Sequence, residues 1–202
     1  MIIFDVGANN GDSCVDFCKQ FENTVYAFEP TPHLVTHALM PKSLVYKNFI
    51  VIPKAVGKED GKTTFNIAGH HNWGCSSLYE FNDNLQETWP GRKDFYFNDK
   101  VEVDVICMET FLQENDHIKQ IDFFHCDTQG NDMNVLEGFG KHINKIKKGQ
   151  IEVSAKNPLY KNCTNTLEAA TLFLNKNGFE IYDLHRDGPE GNEINVRFIN
   201  KN

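Results

Sequence analysis

Two stretches of the chain carry side chains that could do chemistry together. The first is FDVGANNGDS, where Asp5, Gly7, Ala8, Asn9, Gly11, Asp12 and Ser13 follow a short apolar run. A strand entering a glycine turn and then a helix lets the backbone approach a ligand closely, and the helix start offers free N–H groups. The second is HCDTQGND, with His125, Asp127 and Gln129 at the end of the apolar run IDFF. Residues i and i+2 of a strand share a face, so His125 and Asp127 are expected to open on one pocket. An imidazole beside a carboxylate is tuned to take a proton near neutral pH. Between the two stretches, Glu29 ends the run VYAF roughly 20 residues beyond Gly7, the spacing at which an acid accepts both hydrogen bonds of a ribose diol.

The turn GANNG departs from the dinucleotide fingerprint, because Asn9 stands where a second glycine would let a pyrophosphate lie against the backbone. No Gly-Lys-Ser/Thr follows, so it is not a phosphate-gripping loop either. What remains suits a nucleoside carrying a small zwitterion. A nicotinamide-dependent oxidoreductase is thereby disfavoured, and a module that holds a nucleoside without turning it over stays open.

Further along, AGHHNWGCSSL offers His70, His71, Trp73 and Ser76, an apolar ring among polar groups on a long loop, as a lid over a sugar would use. Gln129 and Lys156 are grouped with these as candidate substrate contacts. A divalent ion held by Asp127 and Asp132 is conceivable but not favoured, and no residues are assigned to a metal.

The elements that must position these groups alternate. Short apolar strands at the start, at VYAFEP, FIVIPKAVG, VEVDVIC, IDFFHC and GQIEVSA are separated by helical patterns at CVDFCKQF, PHLVTHALM, DMNVLEGFGKHI and TLEAATLFLNKNG. FEIYDLH and INVRFINK close the chain as a hairpin. That alternation predicts an α/β fold with a mostly parallel sheet, whose ligands bind beyond the carboxyl ends of the strands. With 202 residues and no linker, the chain reads as one domain over residues 1–202. Met1 lies directly against the first strand, which reads as a minimal protein or a domain cut from a longer chain. A net charge of −8 argues against coating nucleic acid or an anionic membrane. Six dispersed cysteines without a CxxC pair, and no leader-like or membrane-spanning run, point to buried thiols in the cytoplasm.

FDVGANNGDS, FEP, KAVG with DGKTTFNI, and IDFFHCDTQGNDMNVLEG together resemble the FkbM family of S-adenosylmethionine-dependent methyltransferases, with spaced matches over residues 2–153. The resemblance implies the class I methyltransferase fold, a Rossmann-like three-layer sandwich on a seven-stranded, mostly parallel sheet with a C-terminal antiparallel hairpin. It implies O-methylation, typically of sugars or natural-product hydroxyls, with S-adenosylhomocysteine as product. A deoxyhexose such as rhamnose or fucose is the expected acceptor, with fusion to a glycosyltransferase as an expected context and a non-sugar hydroxyl as the alternative. Carried onto this sequence, Asp5, Gly7, Asn9 and Gly11 match the first cofactor loop, with Asp12 and Ser13 towards the methionine end. Glu29, followed by Pro30, matches the ribose acid, and Ala55 and Val56 flank the adenine. The family's Lys-x-Asp-x-Glu-Gly-x-Glu here reads with His125 for lysine, Gln129 for the first glutamate and Asp132 for the second. Asp127 and Gly130 are kept, and Glu152 matches a further acid.

Overall fold

The chain is described by a computed structural model over residues 1–69, 73–188 and 191–201. The strand at its centre is β1 (Ile2–Val6), apolar on both faces except for Asp5 and almost wholly buried. It pairs in parallel with β2 (Thr24–Phe28) on one side and with the much later β7 (Phe123–Cys126) on the other. With β3 (Phe49–Ile52), β8 (Lys148–Ser154), β9 (Phe179–Asp187) and β10 (Glu193–Asn200), the sheet runs β3-β2-β1-β7-β8-β10-β9. Only β10 runs against the rest, as the hairpin requires. A second sheet, β4 (Ala55–Gly57), β6 (Phe97–Cys107) and β5 (Gly61–Ala68), has the order β4-β6-β5.

The run FIVIPKAVG, expected as one strand region, is divided between the two sheets. Pro53 has no N–H to give a ladder, and the chain changes sheets there. The segment CVDFCKQF, expected as a helix, forms only a 3-10 turn at Val15–Lys19, and Phe21 is left 94% exposed. After β2 the chain is helical through α1 (Pro32–Leu34), a π turn at Val35–Leu39 and α2 (Met40–Val45). Pro41 accounts for the π turn: its ring crowds the carbonyl four residues back, and the turn before it widens so that Met40 N–H bonds to Val35 C=O, five residues back. The loop region after β5 contains one short helix, α3 (Leu85–Thr88). The remaining helices are α4 (Met108–Glu114), α5 (Asp132–Glu137) and α6 (Leu167–Lys176). A Thr166 side chain caps the start of α6, and Gly178 follows its end with φ +81°.

The larger core joins β1, β2, β7, β8 and β10 to α4, α5 and α6. The other face of β8 and β10 alternates: Gln150, Glu152, Asn195 and Arg197 point away from buried Ile151, Val153, Val196 and Phe198. The sheet is therefore covered on both faces around β1 but carries a polar face towards the β10 side. Phe111 of α4 holds the covered half together. Its ring stands edge-on to Phe28 at 5.0 Å, Phe4 at 5.6 Å and Tyr26 at 5.7 Å. Phe111→Ala is expected to cost about 3–5 kcal/mol of folding stability, measured by urea unfolding, because the rigid strands around it cannot collapse into the gap. A loss under about 1 kcal/mol would show that α4 does not anchor the sheet.

Candidate functional site

Where β1, β2 and β7 end, a cleft opens beyond their carboxyl ends. Its floor is the first turn. Gly7 has φ +81°, and a Cβ placed there would lie 2.0 Å from the Asp127 carbonyl oxygen, so no side chain fits. Gly7 N and Ala8 N both donate to Phe28 O at 3.0 Å, tying the turn to β2. Asn9 follows with φ +50°, a left-handed conformation that asparagine tolerates better than most residues.

Glu29 is the wall at the end of β2. Its Oε2 accepts from Asn9 N and its Oε1 from Thr31 N, both at 2.8 Å. Burial pushes its carboxyl up to about 7, against the opposing pull of those two N–H groups. Pro30, Ala55 and Val56 line the same side, joined by Lys54 and by Phe65 of β5. Trp73, Gly74, Ser76 and Leu78 line it from the loop after β5, and Asp127, Thr128, Gln129 and Asn131 from the end of β7.

Asp127 is held through Gln129, a non-glycine residue at φ +54°. Gln129 Nε2 donates to Asp127 Oδ1 at 2.6 Å and lies 3.4 Å from Glu152 Oε1. Tyr160 Oη lies 2.8 Å from Gln129 Oε1 and 2.9 Å from Cys75 O, with one hydrogen to share between them, and Ser77 Oγ donates to Gln129 O at 2.6 Å. Burial raises the Asp127 carboxyl although the Gln129 bond works to lower it. Burial and the Asp127 charge push Asp132 up to about 7.

The expected residues divide by place. Gly7, Asn9, Glu29, Pro30, Ala55, Val56, Trp73, Ser76, Asp127 and Gln129 meet at the cleft. His125 does not join them: it faces Asp5 at 2.7 Å and lines a separate cavity with Ile3, Ser13, Cys14, Phe17 and Phe123. The strand stops at Cys126 and the backbone turns under Gly7, so the alternation that would align His125 with Asp127 ends one residue too early. Asp5 and Ser13 lie beneath the loop with it, Ser13 Oγ donating to Asp5 Oδ2 at 2.9 Å. Ala8 and Gly11 are buried supports, Gly11 against Leu39 and Phe49. Asp12 is exposed and pairs with Lys42 at 3.1 Å. Lys156 is exposed and off the cleft lining, and His70 and His71 fall outside the described residues. Asp132 turns inward to Thr128 and Glu152 N, and among the described residues no group of three or more ligand side chains is placed to hold a metal ion. Tyr160, Thr31 and Phe65 were not singled out by sequence; they arrive from segments whose local pattern carries no chemistry.

The glycine cradle, the buried strand-end acid and the apolar side at Ala55, Val56 and Phe65 fit an adenosine bearing a methionine chain: backbone for the zwitterion, a carboxylate for the diol, apolar surface for the base. Comparisons with known proteins agree. Residues 5–181 match the family described as Methyltransferase FkbM domain. The fold is similar to magnesium protoporphyrin IX methyltransferase (ChlM) from Synechocystis PCC 6803 with bound SAM, at TM-score 0.51 and 10% identity, covering 98% of this chain and 69% of that one. It is similar to M. capricolum TrmK in complex with S-adenosyl-homocysteine, at TM-score 0.51 and 11% identity, covering 100% and 62%. The Methanococcus jannaschii fibrillarin pre-rRNA processing protein gives TM-score 0.51 and 15% identity over 98% and 65%. No curated protein matches significantly. With the strand order, the loop and the domain match all in accord, the chain belongs to the FkbM family of S-adenosylmethionine-dependent methyltransferases.

Proposed function

We propose that the protein methylates a sugar hydroxyl of a glycan or glycoside, with Asp127 accepting the hydroxyl proton. The observation that carries this reading is the composition of the cleft's acceptor end, where the carboxylate of Asp127, the amide of Gln129, Ser76 and the Trp73 ring line one opening. An aromatic ring offers the C–H face of a pyranose a surface to stack on, and the polar groups match its hydroxyls.

S-adenosylmethionine supplies an electrophilic methyl group when bound. Gly7, Asn9 and Glu29 would hold its methionine and ribose portions, and Ala55, Val56 and Phe65 its adenine. The rest of the task falls to the chain: to exclude water, align an oxygen and remove its proton. Alignment alone supplies about 7–11 kcal/mol in well-oriented reactions. Proton removal by a positioned base adds about 10²–10⁴-fold. Asp127, kept in place by Gln129, is suited to that step because burial has raised its carboxyl towards the basicity a general base needs. The six cysteines all carry free thiols, which accords with work in the cytoplasm.

The reading is tested by incubating the protein with methyl-labelled S-adenosylmethionine and a panel of glycosides that includes rhamnosides and fucosides. Label is expected in a glycoside; label only in a sugar-free hydroxyl compound or in RNA would sink the sugar reading. On the glycoside found, the rate should rise with pH through the Asp127 titration, at a pH above the ordinary aspartate value of 3.8, since only the ionised form accepts a proton. Asp127→Asn should lower the rate by about 10²-fold or more at every pH, with S-adenosylhomocysteine affinity held. An Asp127→Asn protein of normal rate would remove this residue from the chemistry. Glu29→Ala should weaken S-adenosylhomocysteine binding by about 1.5–3 kcal/mol in calorimetry, and unchanged affinity would take Glu29 out of the ribose site.

A further inference from the structure

The cofactor loop is fastened at its near end to Phe28 O and Glu29. Its far end is fastened from below. Asp5 is wholly buried, and its two carboxylate oxygens serve different partners: Oδ2 accepts from Ser13 Oγ at 2.9 Å, and Oδ1 meets His125 Nδ1 at 2.7 Å. Asp5 precedes the loop and Ser13 follows it, so one carboxylate closes the loop like a staple. Among the described residues His125 alone is placed to offer that carboxylate a positive charge: the cavity around the pair is otherwise lined by Ile3, Phe17, Phe123, Cys14 and Ser13.

We infer that His125 is a positioning residue for cofactor binding: its imidazolium fixes the Asp5 carboxylate that closes residues 7–13, and affinity for the cofactor therefore follows the protonation of a side chain outside the cofactor cleft. The inference rests on the reading that this loop holds the cofactor, and it is independent of the acceptor.

The charges acting on His125 from every side support the sign. Burial works to lower its pKa, but the hydrogen bond and charge of Asp5 outweigh burial and hold it above 6.5, with Asp127 and Asp132 pulling in the same direction. The Cys14 thiol is pushed far up by burial and stays neutral. On β8 the neighbouring Gln150 is engaged by Asn195 and Arg197, and Arg197 by Asp183, so that cation is held one strand further on. Asp5 titrates the other way: burial would raise it, yet the His125 bond and charge leave it lowered, so it stays ionised throughout. The pair is therefore a full ion pair at and below the ordinary histidine value, and it loses its positive member as pH rises through the raised one. Above that point a buried carboxylate remains with a neutral donor, which holds the loop less firmly.

Calorimetric titration with S-adenosylhomocysteine between about pH 6 and about pH 8.5 reads this directly. Across that range the affinity of the natural protein is expected to fall severalfold relative to that of His125→Lys, which keeps a cation beside Asp5 and shares whatever slope the ionisation of Glu29 at about 7 contributes. His125→Gln, a neutral donor, should bind about 10-fold more weakly at every pH, and Ser13→Ala should bind severalfold more weakly while keeping the slope. The protection of the amides of residues 7–13 against hydrogen exchange, relative to their intrinsic base-catalysed rates, should fall with pH in the natural protein and not in His125→Lys. An unchanged slope in His125→Lys overturns the inference, and so does a His125→Gln protein that melts lower yet binds normally. Absence of any S-adenosylhomocysteine binding by the natural protein would instead overturn the placement of the cofactor at this loop.

Discussion

The contact on which the rest of the site depends is the one between the ends of β1 and β7, where Gly7 packs on the carbonyl of Asp127 with no room for a side chain. Asp127 N donates to Val6 O at 2.9 Å, so the ladder continues to the very point where both strands turn away. The glycine loop and the Asp127 carboxylate leave from this one junction. Their separation is set by backbone, which is stiffer than any pair of side chains, so the two sides of the cleft are held at a fixed distance.

Around the junction the chain buries several carboxylates and keeps each one differently. Asp5 has an imidazole, Glu29 has two backbone N–H groups, and Asp127 has an amide fixed by a tyrosine. Buried acids need partners of some kind, and the kind decides what the acid is free to do. A carboxylate facing a cation is committed to structure. One facing backbone N–H groups is preorganised to accept more hydrogen bonds. One facing a neutral amide keeps its proton affinity.

Much of this was legible in the sequence because it is local. The glycine turn, the acid at the end of VYAF and the acid after FFHC are each read from a strand end and the rule that ligands lie beyond it. The mostly parallel sheet followed from the alternation of elements, and its antiparallel strand from the terminal hairpin. What was not legible depends on where a regular element stops. The pairing of His125 with Asp127 assumed that the strand ran on to Asp127, but the backbone turns first. The helix expected at CVDFCKQF shortens to a 3-10 turn, and Pro41 widens a helix in a way that apolar spacing alone does not reveal. Tyr160 and Phe65 carry no local signal at all: Phe65 reaches the cleft on β5, and Tyr160 reaches Gln129 from a segment bridged to Phe81, far away in the chain.

The central position of β1 has a kinetic consequence. Of the strands of this sheet β1 is made first, and β2 follows after one connection, but its other neighbour, β7, is made only about 120 residues later. Until then one edge of β1 stays unpaired, and Asp5 has no imidazole beside it. The slow closure of that long segment gates formation of the central ladder, in keeping with the cost of contacts between distant residues. On a ribosome emitting the chain from its N-terminus, the cofactor loop would thus be the earliest part of the site to be made and among the last to acquire its final shape.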